Sequence, residues 1–224
     1  MENNDKKKSI KNYIKFLSSQ PRGFLYKDAR PGPAESKKIS LENLFGRHGS
    51  CSACPLAKQG RTQVVFGHGN ADAALMFVGE GPGRDEDAKG FPFIGRAGQL
   101  LTKIIEAMGL RREDVFISNV VKCRPPNNRT PLPIECDICK KLLLLKEIEI
   151  IKPKIICTLG SPAAQALLGD HIRISQVRGR FFEFNETPLI PTYHPAYLLR
   201  NPAQKKTVWQ DMQKIMERLG MAKK

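Results

Sequence analysis

Residues 74–83 read ALMFVGEGPG, a short apolar run that ends in a glycine-rich turn. Five apolar residues bounded by charge and glycine predict a buried β-strand. Similar runs lie at residues 115–118, 154–159 and 189–193, and residues 181–184 are a candidate for one more short strand. Segments with helical periodicity separate these runs. We therefore expect an α/β fold with a central, mainly parallel, four-stranded sheet that is covered on both faces.

The helical segments are predicted from the spacing of apolar residues. Leu100, Leu101, Ile104 and Ile105 form one face of a helix, which Gly109 can end. Further helical patterns occupy residues 136–150, 161–168 and 202–219. Residues 1–40 are rich in lysine and carry three prolines, so we expect a basic N-terminal extension there and a globular domain over residues 41–224.

Residues that could take part in binding or catalysis follow each predicted strand. The GEGPG turn follows the first strand, Asn119 closes the second, Gly160 follows the third, and His194 follows the fourth. In open parallel sheets, ligands bind beyond the carboxyl ends of the strands. The sequence therefore predicts a binding site that gathers Glu80, Asn119 and His194.

The GEGPG turn does not match a dinucleotide-binding fingerprint. Arg84 stands where the third glycine would be required, and the acidic residues 85–87 would repel phosphate. The glycines instead allow close approach of a flat ligand, with Glu80 presenting a carboxylate to water; the alternative is a tight turn with a solvated Glu80. Phe91 and Phe93 lie in the loop GFPFIG, where one of them either stacks on a base or plugs the core.

The chain carries a formal net charge of +15 and has a pI of about 9.7. Residues 1–40 contribute ten Lys and Arg against four Asp and Glu, so most of the excess lies on the globular part. This favours a polyanionic partner such as nucleic acid over a merely basic surface. No apolar run approaches the roughly 18 residues that span a bilayer, and the first residues lack a signal-peptide core. We expect a cytoplasmic protein with no membrane contact.

Four cysteines form two pairs, Cys51-x2-Cys54 and Cys123-x15-Cys139. Without an export signal, such spacing favours a four-thiolate metal site over disulfides or a redox dithiol. Zinc and a [4Fe-4S] cluster both accept four cysteinates, so spacing leaves the metal open. Cys136 forms a second CxxC with Cys139, and either residue can supply the fourth ligand.

Five segments in order resemble the family 4 uracil-DNA glycosylases over about residues 41–219. They are CSACP (51–55), GEGPGRDED (79–87), GFPFIGRAGQLL (90–101), SNVVKCRPPNNRTP (118–131) and PTYHPAYLLRNP (191–202). The resemblance implies a three-layer α/β/α sandwich and a [4Fe-4S] cluster. It makes Cys51, Cys54, Cys123 and Cys139 the cluster ligands, in preference to Cys136.

The same resemblance implies a monofunctional hydrolase of base excision repair. It would flip uracil out of single- or double-stranded DNA, hydrolyse the N-glycosidic bond, release uracil and leave an abasic site. A related group links covalently to the abasic sugar through a histidine on an extra basic loop, but residues after Asn119 run directly into VVKCRPPNNRTP. Hydrolytic turnover by a monomer is therefore expected.

The resemblance also assigns roles to single residues. Phe93 would stack on the extruded uracil, with Gly81 beside it, and Asn119 would face uracil O4 and N3–H. Glu80 would orient the attacking water or stabilise the cationic sugar, and His194 would lie near uracil O2.

A DNA-insertion segment is implied at residues 195–200. Tyr197 or Leu198 would be the wedge that fills the space left by the flipped base, and Arg200 would contact a phosphate.

Overall fold

The computed structural model describes residues 32–221, which form a six-stranded sheet in the order β1-β3-β2-β4-β6-β5. The strands are β1 (His68–Gly69), β2 (Leu75–Gly79), β3 (Phe116–Asn119), β4 (Ile155–Leu159), β5 (Phe182–Phe184) and β6 (Thr187–Thr192). The four inner strands are parallel, whereas β1 and β5 pair antiparallel at the two edges. The predicted parallel core is confirmed, and the count of four strands becomes six. β1 is two residues long, too short to leave a pattern in the sequence.

Helices occupy all four segments predicted from the apolar pattern, and the described residues contain further helices that the pattern did not predict. The helices are α1 (Pro33–His48), α2 (Arg84–Lys89), α3 (Arg96–Ala107), α4 (Pro133–Cys139), α5 (Leu145–Ile151), α6 (Ser161–Leu168), α7 (Ile174–Val177), α8 (Pro195–Arg200) and α9 (Lys205–Arg218). A π-helical turn, Lys140–Leu144, joins α4 to α5. The helix predicted at residues 136–150 is therefore one continuous helical stretch with an inserted π-turn.

Two separate cores lie on the two faces of the sheet. Successive side chains of a strand point to opposite faces, and all five residues of β2 are buried. Met76 and Val78 join a core that includes residues of α1, α5 and α6. Leu75 and Phe77 join a second core with residues of α3, α8 and α9. This arrangement confirms the predicted three-layer sandwich.

The first described helix crosses the boundary placed between residues 40 and 41. α1 begins at Pro33, and Lys37 donates to Asp72 at 2.6 Å and to the Ile151 carbonyl at 2.9 Å. Residues 1–31 of the predicted extension lie outside the described residues. Within residues 32–221, no helix is long and apolar enough to cross a membrane.

Candidate functional site

A cavity of about 540 Å³ lies beyond the carboxyl ends of the parallel strands. The register explains this position, because Gly79 pairs with Asn119 at the ends of β2 and β3. All but one of the predicted substrate, catalytic and DNA-contacting residues line it: Glu80, Gly81, Phe93, Asn119, His194, Tyr197 and Arg200. A smaller neighbouring cavity of about 350 Å³ shares Glu80, His194 and Tyr197.

Asn119 contributes a buried amide to this cavity. The residue is 2% exposed, and its Oδ1 atom has no hydrogen-bond partner within the described part of the chain. A buried acceptor without a partner costs about 1–3 kcal/mol. The cavity therefore offers a hydrogen-bond acceptor that a ligand carrying an N–H group would satisfy.

The Phe93 ring forms a neighbouring wall of the cavity. It is 6% exposed, and its ring centroid lies 5.5 Å from that of His194, with 35° between the planes. The Phe93 backbone has φ of 53°, an uncommon value for a residue with a side chain. Gly98 lies directly against this backbone, where a Cβ atom would have no room.

Two residues that sequence reasoning missed hold the Phe93 loop in place. Glu86 Oε1 accepts hydrogen bonds from the amides of Ile94 at 3.0 Å and Gly95 at 2.9 Å. Arg112 donates to the Pro92 carbonyl at 2.6 Å. Glu86 was interpreted only as an acidic residue that would repel phosphate. Its backbone contacts bridge eight or nine residues, a separation that leaves no local pattern.

His194 is the N-cap of α8 and presents a defined tautomer. Its Nδ1 atom accepts from the Ala196 amide at 3.1 Å, which places the proton of the neutral ring on Nε2. Burial lowers the pKa of His194 to about 4, and the nearby positive charge of Arg200 adds to this effect. The ring is therefore neutral at pH 7 and acts as a hydrogen-bond donor through Nε2.

Glu80 is the carboxylate of the cavity. Burial raises its pKa above the ordinary 4.5, and a hydrogen bond from the Thr130 side chain acts in the opposite direction. Its backbone is fixed because the Val121 amide donates to the Glu80 carbonyl at 3.1 Å. A partly desolvated carboxylate with a raised pKa is suited to accept a proton from water.

The packing of helix α8 argues against the predicted wedge role of Leu198. Leu198 is 1% exposed and belongs to the core beneath the helix, so it is not available as a wedge. Leu199 is 39% exposed, since consecutive helical residues point about 100° apart. Tyr197 lines the cavity and packs against Tyr193 with ring centroids 4.9 Å apart. Arg200 is exposed at the end of the helix.

The segment NRT (128–130) forms a polar part of the cavity lining that the sequence did not predict. Asn128, Arg129 and Thr130 line the cavity. Arg129 is held by two hydrogen bonds to the Glu135 carboxylate, at 2.8 and 2.7 Å, and Glu135 also accepts from the Leu132 amide at the start of α4. This segment is thus anchored to α4, which ends at Cys139.

The four predicted ligand cysteines are electrostatic neighbours. Burial raises the pKa values of the Cys54 and Cys123 thiols and raises that of Cys139 to about 12. Cys54 adds to the increase at Cys123, and Cys123 adds to the increase at Cys139. Cys51 acts on both Cys54 and Cys123. At Cys136, burial and the nearby carboxylates of Glu80, Glu135 and Asp137 raise the pKa to about 11.

Polar groups converge on these sulfurs. Arg61 donates to Cys123 Sγ at 2.8 Å, and the Lys122 amide donates to Cys139 Sγ at 3.3 Å. Both contacts favour thiolate over thiol. Among residues 32–221, no three His, Cys, Asp or Glu side chains surround a single metal-ion position. Four cysteines are the donor set that a four-iron cluster requires, with one cysteinate on each iron.

Known proteins resemble this chain over most of its length. The profile of the uracil DNA glycosylase superfamily matches residues 66–213. The type-4 uracil-DNA glycosylase of Thermotoga maritima is 48% identical over 178 residues, which cover 78% of this chain and 92% of the relative. The corresponding protein of Archaeoglobus fulgidus is 43% identical over 189 residues, with 81% and 94% covered. That of Sulfurisphaera tokodaii is 46% identical over 187 residues, with 80% and 84% covered. With this degree of identity over nearly the whole described part, the chain belongs to the type-4 uracil-DNA glycosylases.

Proposed function

We propose that this protein removes uracil from DNA by hydrolysing its N-glycosidic bond, which leaves an abasic site and begins base excision repair. The observation that carries the proposal is the buried Asn119 Oδ1 without a partner in the described chain, beside the Phe93 ring. Uracil presents an N3–H donor next to its O4 acceptor, and an amide matches both at once. The flat base would stack on Phe93.

The same amide excludes cytosine. Cytosine has an acceptor at N3 and a donor amino group at position 4, so both contacts would be mismatched with Asn119 held in the orientation that serves uracil. Each buried mismatch costs about 1–3 kcal/mol. Two mismatches therefore account for strong rejection of the normal base from which uracil arises by deamination.

His194 stabilises the departing base. As the bond between C1′ of the sugar and N1 of uracil breaks, its electron pair passes into the base, and negative charge grows on O2. The Nε2–H of neutral His194 donates a hydrogen bond to this oxygen, and a positioned donor in a dry site contributes several kcal/mol. The base leaves as an anion, so His194 does not need to give up its proton.

Glu80 serves the other side of the reaction. Its carboxylate accepts a hydrogen bond from the attacking water and takes the proton as the water oxygen bonds to C1′. The same negative charge stabilises the positive charge that develops on the sugar. The Glu80 pKa, raised by burial, makes the carboxylate a stronger base than a solvated glutamate.

DNA binding places the extruded nucleotide in the cavity. Arg200 contacts a phosphate, and Tyr197 lies at the cavity edge beside the flipped base. The exposed Leu199, rather than Tyr197 or the buried Leu198, is the wedge in this proposal. Because flipping costs a few kcal/mol in duplex and less in single strands, a monomer with this site acts on both.

Cys51, Cys54, Cys123 and Cys139 hold a [4Fe-4S] cluster in this proposal. The support is that neighbouring thiols of this set raise the pKa values of Cys123 and Cys139, together with the Arg61 contact to Cys123. When bound, the cluster cross-links the three segments that carry its ligands and takes no part in the hydrolysis. Iron content and absorbance near ~400 nm test this assignment.

The decisive experiment uses an oligonucleotide with one uracil, followed by alkaline cleavage at abasic sites. Wild-type protein should produce a strand break at uracil and none when cytosine replaces it. Asn119→Ala and His194→Ala should each slow the break by about 10²–10³-fold, the usual cost of losing a positioned transition-state contact. A wild-type protein that leaves the uracil strand intact would refute the proposal. Variants as fast as wild type would refute the assigned roles.

A further inference from the structure

A fully buried charged group lies behind the cavity and does not line it. Lys122 and Glu147 form an ion pair of 2.6 Å, and both side chains are 0% exposed. Ser118 donates to the same carboxylate oxygen at 2.6 Å, and the other oxygen accepts from the Gly67 amide at 2.9 Å. An apolar pair of similar volume would generally give equal or greater stability. The presence of a charged pair here therefore calls for another role.

Lys122 connects this group to the base-recognising residue. Its ammonium donates to the Asn119 main-chain carbonyl at 2.8 Å, which closes the turn that follows β3. The turn continues the sheet pairing, because the Val120 amide donates to the Gly79 carbonyl at 2.9 Å. The backbone that carries the Asn119 side chain is thus held from the sheet and from Lys122.

The pair also reaches the cysteine group. The Lys122 amide donates to Cys139 Sγ, and the next residue is Cys123. Glu147 lies on α5, which follows Cys139 through the π-turn. One side chain therefore joins the turn at Asn119 to the helices that carry the last cysteine ligand.

We propose that Lys122, held by Glu147, is a positioning residue for base recognition that fixes the Asn119 peptide so that its amide meets the uracil edge. The inference rests on the proposed function of this site. The ammonium does not reach the substrate; it acts through Asn119. Glu147 keeps the ammonium in place, since an unpaired lysine would not remain buried.

A double-mutant cycle tests the proposal. The variant Lys122→Met/Glu147→Gln removes both charges and retains side-chain length and the acceptor for Gly67. Single-turnover excision of uracil should fall by about 10- to 100-fold, since a displacement of about 1 Å in a substrate-positioning group costs up to 10². In an Asn119→Ala background the same pair of substitutions should cause no further decrease in the excision rate. DNA affinity should not change, whereas affinity for free uracil should fall by the same factor as the rate.

Ile151→Ala is the matched control for stability. Ile151 ends α5, is fully buried and belongs to the core on that face of the sheet. A cavity there should lower the melting temperature with uracil affinity retained, which shows that loss of stability alone does not weaken uracil binding. Iron content is measured for each variant, so that damage at Cys139 is recognised. If the pair variant does not fold, Ser118→Ala removes one brace and should slow excision about two- to threefold, again only when Asn119 is present.

The outcomes separate this inference from the proposed function. Wild-type protein that does not excise uracil contradicts the function itself. Wild-type excision together with equal losses in the presence of Asn119 and in the Asn119→Ala background overturns only the positioning role. A pair variant that excises uracil at the wild-type rate also overturns it.

Discussion

Substitution of Gly79 by alanine should abolish most of the activity through a single methyl group. Gly79 ends β2, between the amide of Asn119 and the ring of Phe93. A Cβ atom at this position would lie 2.5 Å from Asn119 Oδ1 and 2.6 Å from Cε2 of Phe93. Glycine is therefore required because a side chain would collide with the two groups that hold the base. The requirement does not come from an unusual backbone φ.

The structure sets the size of the effect. Ordinary contacts to a Cβ atom begin at 3.4 Å, so Asn119 Oδ1 would have to retreat by about 0.9 Å. The strand itself has little freedom, since β2 is paired on both sides. Displacement of a substrate-positioning group by about 1 Å costs about 10² in rate, while overpacking costs about 1–3 kcal/mol of stability. We expect a 10²-fold loss in single-turnover excision from a protein that still folds.

The assay compares Gly79→Ala with Gly46→Ala. A Cβ atom at Gly46 would meet nothing within 4 Å, and this residue lies in α1, where alanine should stabilise the helix by up to about 1 kcal/mol. The melting temperature of each protein is measured, and each folded protein is assayed on uracil-containing single strands. The use of single strands removes any contribution from duplex opening. Excision by Gly79→Ala within threefold of wild type would refute the reasoning that Asn119 and Phe93 must keep their present separation.

Three further predictions concern other parts of the site. Burial raises the pKa of Glu80, while His194 stays neutral down to about pH 4. Excision should therefore slow as the pH falls through a value above 4.5, because Glu80 becomes protonated. Glu80→Gln should remove this acid limb from the pH–rate profile, and an unchanged limb would assign it to another group. Leu198→Ala should lower the free energy of unfolding by about 2–5 kcal/mol in urea melts, whereas Leu199→Ala should alter stability by less than about 0.5 kcal/mol and slow excision from duplex more than from single strands; equal loss on both substrates would argue against a wedge. Cys139→Ser should lose iron and the absorbance at ~400 nm, whereas Cys136→Ser should retain both. The reverse result would show that Cys136, and not Cys139, is the fourth ligand.

Local sequence patterns determined most of the architecture. The four inner strands were visible because a buried parallel strand is a short apolar run, and the residues after them converge because parallel strands end at one edge of the sheet. The prediction of one site containing Glu80, Asn119 and His194 followed from this geometry alone, and all three line the cavity. Their individual chemical roles remain proposals. The expectations of uracil as the base and of iron as the metal came from the family resemblance.

Tertiary contacts decided what no local pattern records. Adjacent leucines in PAYLLR are equivalent in sequence, and only the packing of α8 against the core buries Leu198 and exposes Leu199. The tautomer of His194 depends on one backbone amide. Lys122 reads as a surface residue in VVKC, yet it is fully buried because Glu147, 25 residues away, neutralises its charge. Sequence patterns report periodic burial, whereas a helix's rotation and a buried charge's partner are set by contacts between distant segments.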